Sequence, residues 1–141
     1  KSEVLTKVKK IFLTKSVRYQ ITCFLSGFYN LDIDLLKDIN TIKRIYPLLK
    51  IYVRPHPDTV KALIDLNEYK SISFVDKNYN FHPSDIIIGS IHSSFMVEIH
   101  KNYNNIGLIK CNLNPNNLYP YILPDKIRNF IFYQNLSEII K

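Results

Sequence analysis

Apolar residues recur along the chain with two periods, one helical and one extended. Val4, Leu5, Val8, Ile11 and Phe12 lie at helical spacing with lysines between them, which predicts an amphipathic helix over 4–13. The stretch VRYQITCFL, 17–25, is rich in β-branched and aromatic residues and reads as a strand ended by Ser26-Gly27. Ile33, Leu36, Ile39, Ile42, Ile45 and Tyr46 return to the helical period over 32–46, and Pro47 stops the run. Residues 49–53 form a buried strand whose exit is forced by the prolines of Arg54-Pro55-His56-Pro57. Asp58 or Thr59 is placed to cap a helix with Val60, Leu63, Ile64 and Leu66 on its apolar face. SISFV from Ser71 is a short strand. SDIIIGS from Ser84 is nearly all apolar, as expected of a strand covered on both faces. A helix from Ser93 to Tyr103, a strand over 106–111, a proline- and asparagine-rich loop over 112–124, a strand within 127–134 and a closing helix at LSEIIK complete the reading.

Strands that alternate with helices predict an α/β domain: a mainly parallel sheet with helices on both faces, in a Rossmann-like arrangement. At 141 residues the chain is one domain, 1–141. It can bury roughly 68–70% of the surface its unfolded chain exposes. It begins at Lys1 and is read as a piece of a longer protein. No apolar run approaches the ~18 residues of a membrane span, and Ile11-Phe12-Leu13 is too short for a signal-peptide core. Cys23 and Cys111 lie in separate apolar stretches and read as buried free thiols, which suits the cytoplasm. His92 and His100 lack the spacing and companions of a metal site, so no metal is expected.

Nineteen Lys and Arg against twelve Asp and Glu give a formal charge of +7. That favours an anionic partner without choosing among phosphate, nucleic acid and an anionic membrane face. The densest cluster is Lys7, Lys9, Lys10 and Lys15, readable as a solvated helix face or as a contact for lipid headgroups.

In open parallel sheets, ligands bind beyond the carboxyl ends of the strands. Two such ends carry suitable chemistry. After the DIII of the strand, 85–88, come Gly89, Ser90, Ser93 and Ser94, running into a helix. A helix N-terminus offers free N–H groups and a positive dipole end, the serines add hydroxyl donors, and Gly89 allows close approach of backbone to ligand. After the strand at 49–53, the prolines hold His56 in a stiff exit. From there it can donate to a phosphate or protonate a leaving oxygen. Arg54 can add charge, although strand alternation turns it away from Val53. Glu98 lies one helical turn beyond Ser94 and can accept from both hydroxyls of a ribose. The plain readings of the same residues are a turn histidine, a helix cap and a solvated glutamate.

Together these residues resemble the nucleotide-binding half of two-domain (GT-B) glycosyltransferases. Within that group, His56-Pro57 followed by Ser93-Ser94 looks like the bacterial sialyltransferases of capsule and lipooligosaccharide synthesis. The resemblance covers roughly 50–111. It implies that His56 and Pro57 engage the CMP portion of a CMP-sialic acid donor, that the serines hold its phosphate, and that Glu98 takes the ribose. It implies no separate cofactor and no metal, a glycan or glycolipid acceptor held by an N-terminal domain outside this chain, and a cytoplasmic place at the inner face of a bacterial membrane. The acidic Asp/Glu-Asp/Glu-Gly triplet of that family has no counterpart here, so the isolated domain is expected to be inactive. CDP-glycerol polymerases share the same two-motif layout. A sugar-nucleotide epimerase of similar architecture and a non-catalytic RNA- or membrane-binding module are the rival classes. No dense basic-aromatic stripe supports nucleic acid as the partner.

Overall fold

The computed structural model describes residues 2–14, 20–57, 69, 72–83, 85–90, 94–111 and 129–140. Helix α1 spans Ser2–Thr14 and helix α2 Tyr29–Ile45. Strands β1 (Gln20–Phe24), β2 (Lys50–Arg54) and β3 (Ser73–Phe74) come from the first half of the chain. Strand β4 (Ile86–Ser90), helix α3 (Ser94–Asn102), and strands β5 (Gly107–Lys110) and β6 (Phe130–Tyr133) come from the second. The strands form one six-stranded sheet in the order β3-β2-β1-β4-β5-β6, and every pairing is parallel. The α/β, Rossmann-like expectation therefore holds.

The two faces of the sheet are covered by different helices. Val8, Ile11 and Phe12 of α1 and Leu35, Leu36, Ile39 and Ile42 of α2 pack with Ile21, Cys23, Ile51, Val53, Ile86 and Ile88. On the other face, Met96 and Ile99 of α3 pack with Phe24, Ile87, Ile109 and Phe130. This is why β4 reads as an unbroken apolar run: Ile86 and Ile88 face one layer and Ile87 the other, all at most 1% exposed. Each such isoleucine stabilises the fold by about 1.5–3 kcal/mol relative to leaving it in water. Gly89 continues the α3 side of β4. A Cβ there would meet Met96 Cγ at 2.6 Å, so the missing side chain is what lets α3 sit this close to the strand.

A polar clasp ties β1 to β4 at the amino edge of the sheet. Buried Asp85 accepts hydrogen bonds from Gln20 Nε2, Thr22 Oγ1 and the backbone N–H of His82. Asn105 Nδ2 donates to the carbonyls of His82 and Asp85. These bonds answer the cost of burying a carboxylate. His82 is thereby at the amino edge, away from the strand ends that face a ligand crevice.

Some boundaries differ from the sequence pattern. α2 begins at Tyr29 rather than Asp32, β3 is only two residues long, and the expected closing helix is a single 3-10 turn, Leu136–Glu138. The turn carries a capping box between Asn135 and Glu138, but Ile139 and Ile140 immediately after it are buried, and the chain leaves the helical path to seat them. The expected helix through Val60 and Leu63 and the loop over 112–124 lie outside the described residues.

Candidate functional site

The strand order reverses direction between β1 and β4. The chain steps outward from β1 to β2 and β3, then returns to β1's other side for β4 and moves outward again. At such a switch point the loops leaving the two central strands diverge and open a crevice at the carboxyl edge. The described residues at this place are the β1–α2 loop, 25–28, the end of β4 at Ser90 and the start of α3 at Ser94.

The β1–α2 loop is held tightly. Asp32, in the first turn of α2 and 1% exposed, reaches back under it. Its Oδ1 accepts from the backbone N–H of Ser26 at 2.7 Å and from Ser26 Oγ at 2.9 Å, and its Oδ2 accepts from Gly27 N–H at 3.0 Å. Ser26 Oγ in turn accepts from the N–H of Phe28, the N-cap residue of α2, whose own side chain makes no capping bond. Gly27 has φ +88°, a conformation L side chains rarely adopt.

His56 closes over this loop. A Cβ added to Gly27 would lie 2.6 Å from Nδ1, 3.0 Å from Cγ and 3.1 Å from Cε1 of His56, so the imidazole rests directly on the glycine. The placement matters because β2 and β4 are not adjacent: both pair with β1, which stands between them. Two strand spacings separate their backbones by roughly 10 Å. By folding over Gly27, His56 leaves the end of β2 and leans over the end of β1, toward the β4 side.

Ser90 is the last residue of β4 and is 1% exposed, yet among the described residues its Oγ has no hydrogen-bond partner. Alternation puts it on the Ile86 and Ile88 side of the strand, the face covered by α1 and α2. A buried hydroxyl without a partner is uncommon and marks a place where a polar group from outside could be accepted. Ser94 is the first residue of α3, at the carboxyl edge beyond β4, as the sequence pattern implies. Ser93 lies outside the described residues.

The remaining candidates are placed as follows. Arg54 ends β2 and is half-buried, its guanidinium 5.8 Å from the centre of the Phe24 ring. Pro57 is exposed after His56. Glu98 is exposed on α3, whose Met96 and Ile99 are the residues seated on the sheet. Gly89 contributes close helix packing against Met96. Sequence reasoning treated Gly27 only as the end of a strand and passed over Asp32. Gly27 meets His56 only because the folded sheet sets β2 beside β1, whereas Asp32 acts locally, accepting from Ser26 and Gly27 just before its own helix.

Cys23, beneath this region in β1, is a protonated thiol rather than a nucleophile. Burial above all, then the charges of Asp32 and Asp38, push its pKa well above the ordinary value. Among the described residues no group of three His, Cys, Asp or Glu side chains is arranged to hold a metal ion. Comparison of the chain with protein-family models, with curated proteins and with solved structures gives no match.

Proposed function

We propose that this chain is the donor-binding half of a two-domain glycosyltransferase that uses a CMP-activated sialic acid to build a bacterial surface glycan. The observation that carries the reading is the seating of His56 on the positive-φ Gly27 at the switch point, facing the strand end that holds Ser90 and the start of α3. In this reading the donor phosphate rests on the N-terminus of α3, with Ser93 and Ser94 as donors and the backbone at Gly89 and Ser90 beside it. Arg54 and Pro57 frame the nucleotide side, and Glu98 accepts from the ribose hydroxyls. As the bond between the sugar and the phosphate oxygen breaks, CMP departs with the electron pair. His56 then donates a hydrogen bond or a proton to that oxygen. The acceptor glycan and the base that deprotonates its hydroxyl belong to the partner domain, so no transfer is expected from this chain alone. No cofactor beyond the donor and no metal is assigned a step.

Isothermal titration against CMP, CDP, UDP and GDP tests the reading. CMP should bind best. His56→Ala should weaken it, and Ser94→Ala should weaken CMP but not cytidine, which lacks the phosphate. A preference for CDP redirects the reading to the CDP-glycerol type of transferase. CMP affinity unchanged from the parent in both variants would return His56 to a turn residue and Ser94 to a helix start.

A further inference from the structure

At the opposite edge of the sheet from the crevice lies an apolar cleft lined by Ile11 and Phe12 of α1 and by Ile45, Tyr46, Pro47, Leu48 and Leu49 between α2 and β2. The length of β2, Lys50–Arg54, separates it from the His56 end by about 13 Å.

The turn that forms its lip is rigid. Tyr46 N–H donates to the Ile42 carbonyl at 2.8 Å and Leu49 N–H to the Tyr46 carbonyl at 3.0 Å. Lys43 Nζ donates to the carbonyls of Pro47 and Leu49 at 2.9 and 2.8 Å, and the Tyr46 ring packs on Phe12 with centroids 5.4 Å apart. Held this way, Leu48 is 78% exposed and Ile45 38%, beside an apolar cleft rather than scattered on a polar surface. Single exposed leucines are ordinary; one fixed on a stiff turn next to an apolar cleft is a presented surface.

The two chain segments that line it carry charge of one sign. The segments 4–14 and 39–50, which supply the whole lining, contain Lys7, Lys9, Lys10, Lys43, Arg44 and Lys50 and no Asp or Glu. Lys7, Lys9, Lys10, Arg44 and Lys50 are exposed.

We infer that this edge docks on an anionic phospholipid bilayer, with Leu48 and Ile45 entering the headgroup boundary and the surrounding lysines and arginine meeting lipid phosphates. Aliphatic insertion combined with basic side chains is the chemistry of interfacial membrane binding. Nucleic acid is the weaker match because Leu48 and Ile45 offer no ring face for a base to stack on. Docking at this edge leaves the His56 crevice facing away from the lipid, open to a soluble donor. The inference stands on the cleft and the charge alone and does not depend on the nucleotide reading.

Co-sedimentation of the chain with vesicles of phosphatidylglycerol and phosphatidylcholine, against phosphatidylcholine alone, tests it. Binding should require the anionic lipid and fall as salt rises. Arg44→Gln with Lys50→Gln should lower the partition coefficient about 25-fold, roughly five-fold for each charge removed. Leu48→Gln should lower it about ten-fold. These side chains are exposed, and unchanged circular dichroism is expected in each variant. Equal binding to both kinds of vesicle, anionic binding that Leu48→Gln leaves unaltered, or binding to single-stranded RNA without binding to vesicles would each overturn the inference. Titration with CMP reports on the crevice independently.

Discussion

Replacing Gly27 by Ala isolates the contact on which the carboxyl-edge crevice is built. Two separate effects oppose the new methyl. The backbone at φ +88° disfavours any L side chain, and the new Cβ would stand 2.6 Å from His56 Nδ1. The backbone effect is worth about 1–2 kcal/mol and the overpacking about 1–3 kcal/mol, so Gly27→Ala should destabilise the chain by about 2–5 kcal/mol. In a His56→Ala background the ring is gone and only the backbone part remains. The difference between the two backgrounds, about 1–3 kcal/mol, is the coupling energy of the pair. Urea unfolding at neutral pH measures it, because a typical slope of about 2 kcal/mol per molar turns that coupling into roughly 0.5–1.5 M of midpoint. Equal losses from Gly27→Ala with and without the imidazole would refute the packing of His56 on the loop, and with it the route by which His56 reaches the β4 side of the sheet.

Stability should also depend on alkaline pH through Cys23, whose pKa in the folded chain is held well above the ordinary 9.0 by burial and by Asp32 and Asp38. The unfolded chain ionises first, so the contribution is whole below about pH 9 and is lost above it, by up to about 1.4 kcal/mol per pH unit. Urea midpoints at pH 8, 9 and 10 should fall less steeply for Cys23→Ala than for the parent; parallel curves would contradict the assignment. Across the sheet, Asp38 accepts from Tyr133 Oη at 2.8 Å and pairs with Lys110 Nζ at 3.0 Å. Tyr133→Phe should cost about 1 kcal/mol, because Lys110 still neutralises the carboxylate. Asp38→Ala should cost more, about 2–3 kcal/mol, because the half-buried Lys110 loses its counter-charge and is left with the Gln134 carbonyl at 2.7 Å. Thermal or urea unfolding that ranked the two the other way would show that Lys110 is better solvated than its place on β5 implies.

The parts of the fold that were legible in the sequence are those in which local pattern and burial coincide. Ile86–Ile88 had to be covered on both faces, and α1 carried its lysines opposite Val8, Ile11 and Phe12. Where local signals were weak, the edges moved. α2 starts three residues earlier than its apolar period suggests because Phe28 makes no side-chain cap, while Asp32, inside the first turn, bonds backward to the loop. The 3-10 turn at Leu136 begins with a good helical cap and is overridden by the burial of two consecutive isoleucines. The candidate site follows the same rule. The ends of β2 and β4 could be marked from their prolines, histidine and serines. The meeting of His56 with Gly27 could not, since it depends on β1 lying between the two, a fact of sheet order rather than of any local stretch.

That sheet order also divides the molecule. β1, β2 and β3 are drawn from residues 20–74 and β4, β5 and β6 from residues 86–133, and among the described residues the one strand pairing between the two sets is β1 with β4. The partners clasped across it, Gln20 and Asp85, are 65 residues apart in the chain, so this seam closes the longest loop in the sheet. Closing a long loop late is the slow step in assembling such topologies. The crevice lies over the seam, with Gly27 and His56 on one side and Ser90 and Ser94 on the other. An occupant that touches both sides would act as a rivet between the two half-sheets, and its presence would be felt as slower unfolding as much as by any contact it makes.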